Sequence, residues 1–341
     1  MKLVRFLPIF FLILIQGEDV WETLTGYDSI CHSLHSEEYS CTRHHPVTFS
    51  DGWTGYVGLG SHFDGYHQDF YRYAQGNWTA VEEEYPFALG YAYGVSSFGV
   101  RTHDADYKPS HAYIGFGQTT DNTYPTSFYR FNFEDETFTA LAEFIGAGRK
   151  HPALVITVND ETGEDEFIYV GCGSNGDGNL KDWYQYNINS DVWLQLDDLP
   201  GEERHHPFYF SIDNQAFVGF GHGDSDPNLN ILKDFYVYGP QNSSISSSSW
   251  RRLDDFPGEA RVAGTQFSYA GQGYILSGDG DNHGWMPTGE LWVYNPLTDH
   301  WTELASQAHP GESRYKINNL QMNEDLNIYI PFLKISVMLC F

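Results

Sequence analysis

Three short segments of the chain repeat one order of residue types: Arg43-His44-His45-Pro46, Arg149-Lys150-His151-Pro152 and Arg204-His205-His206-Pro207. Arg261 and Arg314 open two further segments without the histidine. A guanidinium is a planar fork of donors that grips a carboxylate through two parallel bonds. An imidazole titrates near neutral pH and serves as general acid, general base or metal ligand. Three chemistries are open to this set. The arginines can pair with acids or backbone carbonyls inside the fold, with the prolines setting the start of a strand. Alternatively, Arg43, Arg149, Arg204, Arg261 and Arg314 can clamp an anionic ligand while His45, His151, His206, His222 and Asp279 bond its hydroxyl groups. Or His45, His151, His206 and His222 can converge on zinc or copper, which suit three or four imidazoles. No ligand spacing across these separate segments is diagnostic, so no metal and no other cofactor is expected. If the set is catalytic, His206 and His222 are the first candidates for the acid or base.

Other motifs say less. The loops Gly-Asp-Ser-Asp-Pro-Asn (223–228) and Gly-Asp-Gly-Asp-Asn-His (278–283) alternate acids as calcium loops do. Both lack the glycine and the distal glutamate that complete an EF-hand, so they read as solvated turns. Cys31 and Cys41 stand ten positions apart and are expected to form a disulfide, stabilising by up to about 3 kcal/mol. His32, His35, His44 and His45 crowd the same stretch, but their spacing matches no zinc signature. Cys172 and Cys340 read as buried free thiols. Asn77 (Asn-Trp-Thr) and Asn242 (Asn-Ser-Ser) are candidate glycosylation sites. Nothing resembles a nucleophile elbow, a phosphate loop or a dinucleotide fingerprint.

The elements that must position these residues come from a repeat. A short apolar run ends in two glycines one residue apart at 56–60, 113–117, 169–173 and 217–221, with a variant at 274–280. About ten residues later an acid or small residue precedes aromatics, in segments that start at 69, 127, 182, 234 and 290. One more aromatic follows each: Trp78, Phe138, Trp193, Trp250 and Trp301. An acidic Pro/Gly turn then leads to the next arginine. Intervals of 52 to 58 residues, each holding four short strands a to d, are the signature of a β-propeller. A lone four-stranded sheet cannot bury both faces, whereas radial packing with aromatics in the wedges does.

The glycine pair, the aromatic pair, the spaced Trp and the Pro-Gly turn before Arg resemble Kelch repeats over roughly residues 20–330. The expectation is an all-β, six-bladed Kelch-type propeller, with blades at approximately 43–80, 89–140, 149–196, 204–253, 261–304 and 314–341. Residues 19–25 read as an isolated strand d that closes the last blade and removes open sheet edges. Blade two is the least regular, with Leu89-Gly90-Tyr91-Ala92 where others carry arginine and a long insertion at 98–110. Antiparallel strands bring the d→a and b→c loops to one face, and strand a lies innermost. The arginines and histidines are therefore expected to ring a central opening. Kelch-type propellers include a copper-radical galactose oxidase class and a sialic-acid epimerase class, and the resemblance to the latter implies an acidic-sugar ligand. The oxidase class is a likeness of fold alone.

Charge narrows the partners. The chain has 341 residues, 18 Lys+Arg against 46 Asp+Glu, and a net charge of -28. That balance disfavours nucleic acid and anionic membrane surfaces. Aromatics make up 17%, ample for a core. At the N-terminus Lys2 and Arg5 precede an apolar run, Phe6 to Ile15, that is too short to span a bilayer. Residues 1–17 read as a signal peptide and 18–341 as a single propeller domain, secreted or extracellular. The apolar segment Ile328–Phe341 reads as a final strand rather than a membrane span. The expected function is a protein- or glycan-binding module working through the Arg/His opening, with an anionic sugar among the candidate ligands. The alternative is a carbohydrate-active enzyme of sialic-acid epimerase or mutarotase type.

Overall fold

The computed structural model describes residues 21–24, 26–35, 40–62, 65–97, 109–158, 165–223, 230–240, 248–269, 271–276, 278, 280, 290–304 and 328–331. These form an all-β propeller. Five four-stranded antiparallel sheets each follow the order a-b-c-d. Blade one comprises Val47–Ser50, Gly55–Gly58, Phe70–Ala74 and Asn77–Ala80. Blade two comprises Tyr93–Ser96, His111–Gly115, Phe128–Asn132 and Phe138–Ala140. Blade three comprises Ala153–Val158, Asp165–Gly171, Trp183–Asn187 and Val192–Leu196. Blade four comprises Phe208–Ile212, Gln215–Gly219, Phe235–Pro240 and Ser248–Arg252. Blade five comprises Thr265–Tyr269, Gln272–Leu276, Leu291–Asn295 and His300–Glu303. The a strands of consecutive blades pack together from blade one to blade five.

The expectation of six blades is met by five among the described residues. Apart from these, a two-stranded sheet pairs Trp21–Leu24 antiparallel with Ile328–Pro331. Arg314, the signal segment 1–17, Asp279, Asn242 and Cys340 lie outside the described residues.

Four core clusters are wedges between neighbouring blades. Phe49, Phe70, Ile114 and Phe131 join blades one and two. Phe128, Ile156, Tyr186 and Trp193 join two and three. Val155, Trp183, Val218 and Tyr238 join three and four, and Phe210, Phe235, Ile275 and Trp301 join four and five. The strand-d aromatic reaches back across its wedge. Trp193 Nε1 donates to Ala142 O at 3.0 Å, and Trp250 Nε1 to Asp197 O at 2.9 Å. The outer wedge of blade one is filled by a short helix, Tyr27–Leu34, a departure from the all-strand reading. Its Tyr27 and Cys31 pack on Val57, Tyr71 and Trp78. The expected disulfide is present between Cys31 and Cys41 and ties this helix to the segment that leads into blade one.

The two glycines of each repeat have different jobs. The first makes room for the aromatic opposite it: a Cβ on Gly171 would stand 2.0 Å from the Trp183 ring, and one on Gly58 2.2 Å from Phe70. The second adopts a left-handed backbone that side chains resist, with φ +90° at Gly173. Its N–H donates to the next blade: Gly60 to Leu89 O, Gly117 to Arg149 O and Gly173 to Arg204 O at 2.8–2.9 Å, and Gly221 to Arg261 O at 3.4 Å. The motif is thus both a wedge-filling device and a blade-to-blade latch. Gly171→Ala is expected to lower the unfolding free energy by at least the ~1–3 kcal/mol of an overpacked core. Denaturant titration checks it, and unchanged stability would disprove the account of the first glycine.

Candidate functional site

The site is built on the four residues that lead into strand a. Their arginines are fully or almost fully buried, each spent on the acid that opens strand c of the same blade. Arg149 makes a two-pronged contact, Nη1 to Asp182 Oδ1 at 2.6 Å and Nη2 to Oδ2 at 2.8 Å. Arg204 repeats these distances on Asp234. Arg43 binds Asp69 at 2.6 Å and Arg261 binds Glu290 at 2.7 Å. Backbone carbonyls take further donors: Arg149 Nη1 to Cys172 O at 3.0 Å, Arg204 Nη1 to Phe220 O at 3.1 Å, and Arg43 Nη1 to Leu59 O at 2.9 Å, while Arg43 Nε donates to the Tyr27 hydroxyl at 2.5 Å. Aromatic faces cover the guanidinium groups, as Phe144 does 5.0 Å from Arg149 and Phe256 does 4.9 Å from Arg261. Burial by itself would raise the Asp69 and Asp234 carboxyls. The facing Arg43 and Arg204 outweigh it and hold both below the ordinary value.

This placement corrects the expectation of an arginine-lined opening. The guanidinium groups of Arg43, Arg149, Arg204 and Arg261 point into their own blades, because a buried charge needs a paired and fully bonded environment. Blade two supports the same rule by exception. Leu89 takes the arginine position, since its carbonyl accepts the latch from Gly60, and Ser127 takes the acid position before Phe128. Both charges are missing together, and Leu89 is buried among apolar side chains.

What reaches the centre lies two residues after each arginine. His45, Tyr91, His151, His206 and Ala263 occupy this position in blades one to five, all in the left-handed region with φ of 51–59°. That backbone is uncommon for non-glycine residues, and histidine tolerates it better than most. It turns the side chains inward. His45 Nε2 lies 3.1 Å from His206 Nε2, which joins blades one and four. The His151 ring centroid is 3.6 Å from that of His206 and 4.8 Å from that of His45. Tyr91 closes the group, 4.9 Å from His151 and 5.2 Å from His45. Burial, reinforced by the neighbouring imidazoles, holds His45, His151 and His206 well below the ordinary histidine value. The three are therefore neutral near pH 7.

Around this centre the d→a and b→c loops share one face. Bridges join His44 to Ser61, Gly90 to Gln118 and Lys150 to Ser174, and His205 pairs with His222. The Lys150 ammonium sits 5.2 Å from the Tyr91 ring centroid. His205 stacks on His222 at 5.1 Å and its Nδ1 is 2.7 Å from Asn179 Oδ1. Of the sequence candidates, His45, His151 and His206 meet, and His222 stands one ring further out. Asn77 is exposed on strand d of blade one. Tyr91, Lys150 and Asn179 were missed. The signal for Tyr91 was its register two residues after Leu89, hidden because the arginine that marks the position is absent.

No family model matches the chain. The chain is 29% identical over 111 residues to an N-acetylneuraminate epimerase of Yersinia enterocolitica, a match covering 30% of this chain and 26% of that protein. The chain thus spans about a quarter of the length of the relative it matches. That distant similarity agrees with the propeller fold.

Two measurements test the arrangement. Removing Arg204 alone strands the Asp234 carboxylate and is expected to cost about 3–5 kcal/mol. The double variant Arg204→Leu/Asp234→Ser copies the pair found in blade two and is expected to cost clearly less than the sum of its single variants. Additive losses in a double-mutant cycle would sink the coupling. The second concerns His67, whose Nε2 donates to Thr42 O at 3.0 Å. Burial first, then Arg43, lower its pKa. The unfolded imidazole protonates near pH ~6.5, so His67 contributes full stability above that pH and loses it as pH falls toward the folded value. His67→Gln keeps a donor to Thr42 and should flatten the fall in melting temperature between about pH 6.5 and 4.5. An unchanged slope would count against it.

Proposed function

We propose that the protein is an exported, Kelch-type propeller of six closed blades that binds a sugar at the imidazole- and phenol-lined centre of one face. The observation that carries the reading is the convergence of His45, Tyr91, His151 and His206. Neutral imidazoles, a phenol and the Asn179 amide suit the hydroxyl groups of a sugar, and Lys150 supplies a cation for an acidic one. The disulfide fits an oxidising compartment. The pairing of Trp21–Leu24 with Ile328–Pro331 supports closure of a sixth blade from both chain ends. Among the described residues no helix is long and apolar enough to cross a membrane.

A second reading is a carbohydrate-active enzyme on an acidic sugar, favoured by the similarity to N-acetylneuraminate epimerase. His206 and His222 remain its candidate acid and base. Arg43, Arg149, Arg204 and Arg261 do not serve it, because they are buried and paired with acids inside the fold, so Lys150 carries the anion contact.

Calorimetry with neutral and acidic sugars, N-acetylneuraminate included, tests both. Tyr91→Ala is expected to weaken binding of either class by about tenfold, and Lys150→Ala to weaken the acidic class selectively by about as much, or ~1.4 kcal/mol. Binding by neither class, or variants that bind like the parent, would overturn the reading. Exchange of a sugar carbon-bound proton with solvent, followed by NMR, would select the enzyme.

A further inference from the structure

We propose that His45, His151 and His206 form a three-imidazole site for a divalent transition-metal ion of the zinc class at the centre of the propeller. One ring nitrogen from each histidine lies within 4.8 Å of the other two. The separation between Nε2 of His45 and Nε2 of His206, 3.1 Å, is close to the ~3.3 Å between two nitrogens held tetrahedrally at about 2.0–2.1 Å from one zinc ion. His151 brings a buried Nδ1 that has no hydrogen-bond partner. An unsatisfied buried nitrogen is costly and uncommon, and a metal bond satisfies it.

The fold does not require histidine here. The equivalent left-handed positions of blades two and five carry Tyr91 and Ala263, so backbone shape and strand geometry accept other residues. Yet all three histidines meet, although they come from blades one, three and four. Each is followed by a proline, Pro46, Pro152 or Pro207, whose fixed φ stiffens the chain just beyond the ligand. The group contains imidazoles and no carboxylate. That donor set suits zinc and its neighbours rather than calcium or magnesium. Three protein ligands leave a fourth coordination position, which water or a bound ligand takes in open zinc sites. The proposal reverses the expectation that the chain holds no metal. It draws on the same three imidazoles as the sugar reading, and because its measurements use no sugar the two readings can fail separately.

The test uses the full chain, stripped with a chelator and titrated with Co(II), which reports coordination by its visible absorption. The expected result is saturation at about one ion per chain with the bands of a four- or five-coordinate site, reversed by competing Zn(II). Proton NMR of the Co(II) form should show paramagnetically shifted imidazole resonances. His45→Ala, His151→Ala and His206→Ala should each weaken binding by more than the ~10–100-fold typical of losing an outer-sphere partner. His300→Ala, on the exposed edge of blade five, should change nothing. Melting temperatures in chelator separate ligand loss from unfolding, and His151→Gln serves where alanine loosens the centre. Absence of saturable Co(II) binding, absence of shifted imidazole signals in the unmutated chain, or unchanged affinity in folded histidine variants would each overturn the site.

Discussion

The buried arginine–carboxylate pair is the interaction on which the rest of the molecule depends. Taking two charges out of water costs several kcal/mol per ion, recovered only when geometry is good and every donor is bonded. Here Arg149 and Arg204 each meet one carboxylate with two parallel bonds, one backbone carbonyl of the b→c turn, and an aromatic face. The backbone carbonyl of the same arginine receives the latch from the preceding blade. One residue thus ties its own strand c, its own glycine turn and its neighbour's sheet. With that residue held, the chain two positions later has little freedom, and its side chain is delivered to the propeller centre.

Backbone strain follows from the same arrangement, and it does not by itself mark function. Leu59, Phe116, Cys172 and Phe220, between the paired glycines, are left-handed as well. All four are buried at wedges or latches. The left-handed residues at the start of strand a differ in what they carry: in blades one to four imidazoles and a phenol instead of apolar groups, with Ala263 in blade five the exception. Chemistry, position and convergence together separate the two sets, while φ alone does not.

Electrostatics change accordingly. The net charge of -28 and the clustered arginines suggest an acidic shell around a basic opening. In the structure Arg43, Arg149, Arg204 and Arg261 are neutralised in pairs, and the centre consists of uncharged imidazoles with Lys150 beside them. On the proposed sugar reading, selectivity for an anion rests on the Lys150 ammonium, and the larger part of recognition falls to hydrogen bonding and ring contact.

Much of this was legible in the residues themselves. Glycine, aromatic and tryptophan spacing determined the strand order, the propeller class and the shared loop face, because each residue type answers a local need that recurs with the period. The Cys31–Cys41 pairing followed from separation and context. The joint absence of arginine at Leu89 and of acid at Ser127 even contained the ion pairing, as an unread covariation inside one chain. What only the tertiary structure decided was direction. A guanidinium and an imidazole two residues apart look alike as candidate site residues in sequence, and a left-handed turn between them sends one into the blade and the other to the centre. The meeting of His45, His151 and His206 depends on the radial packing of blades far apart in the chain, a geometry that no local pattern encodes.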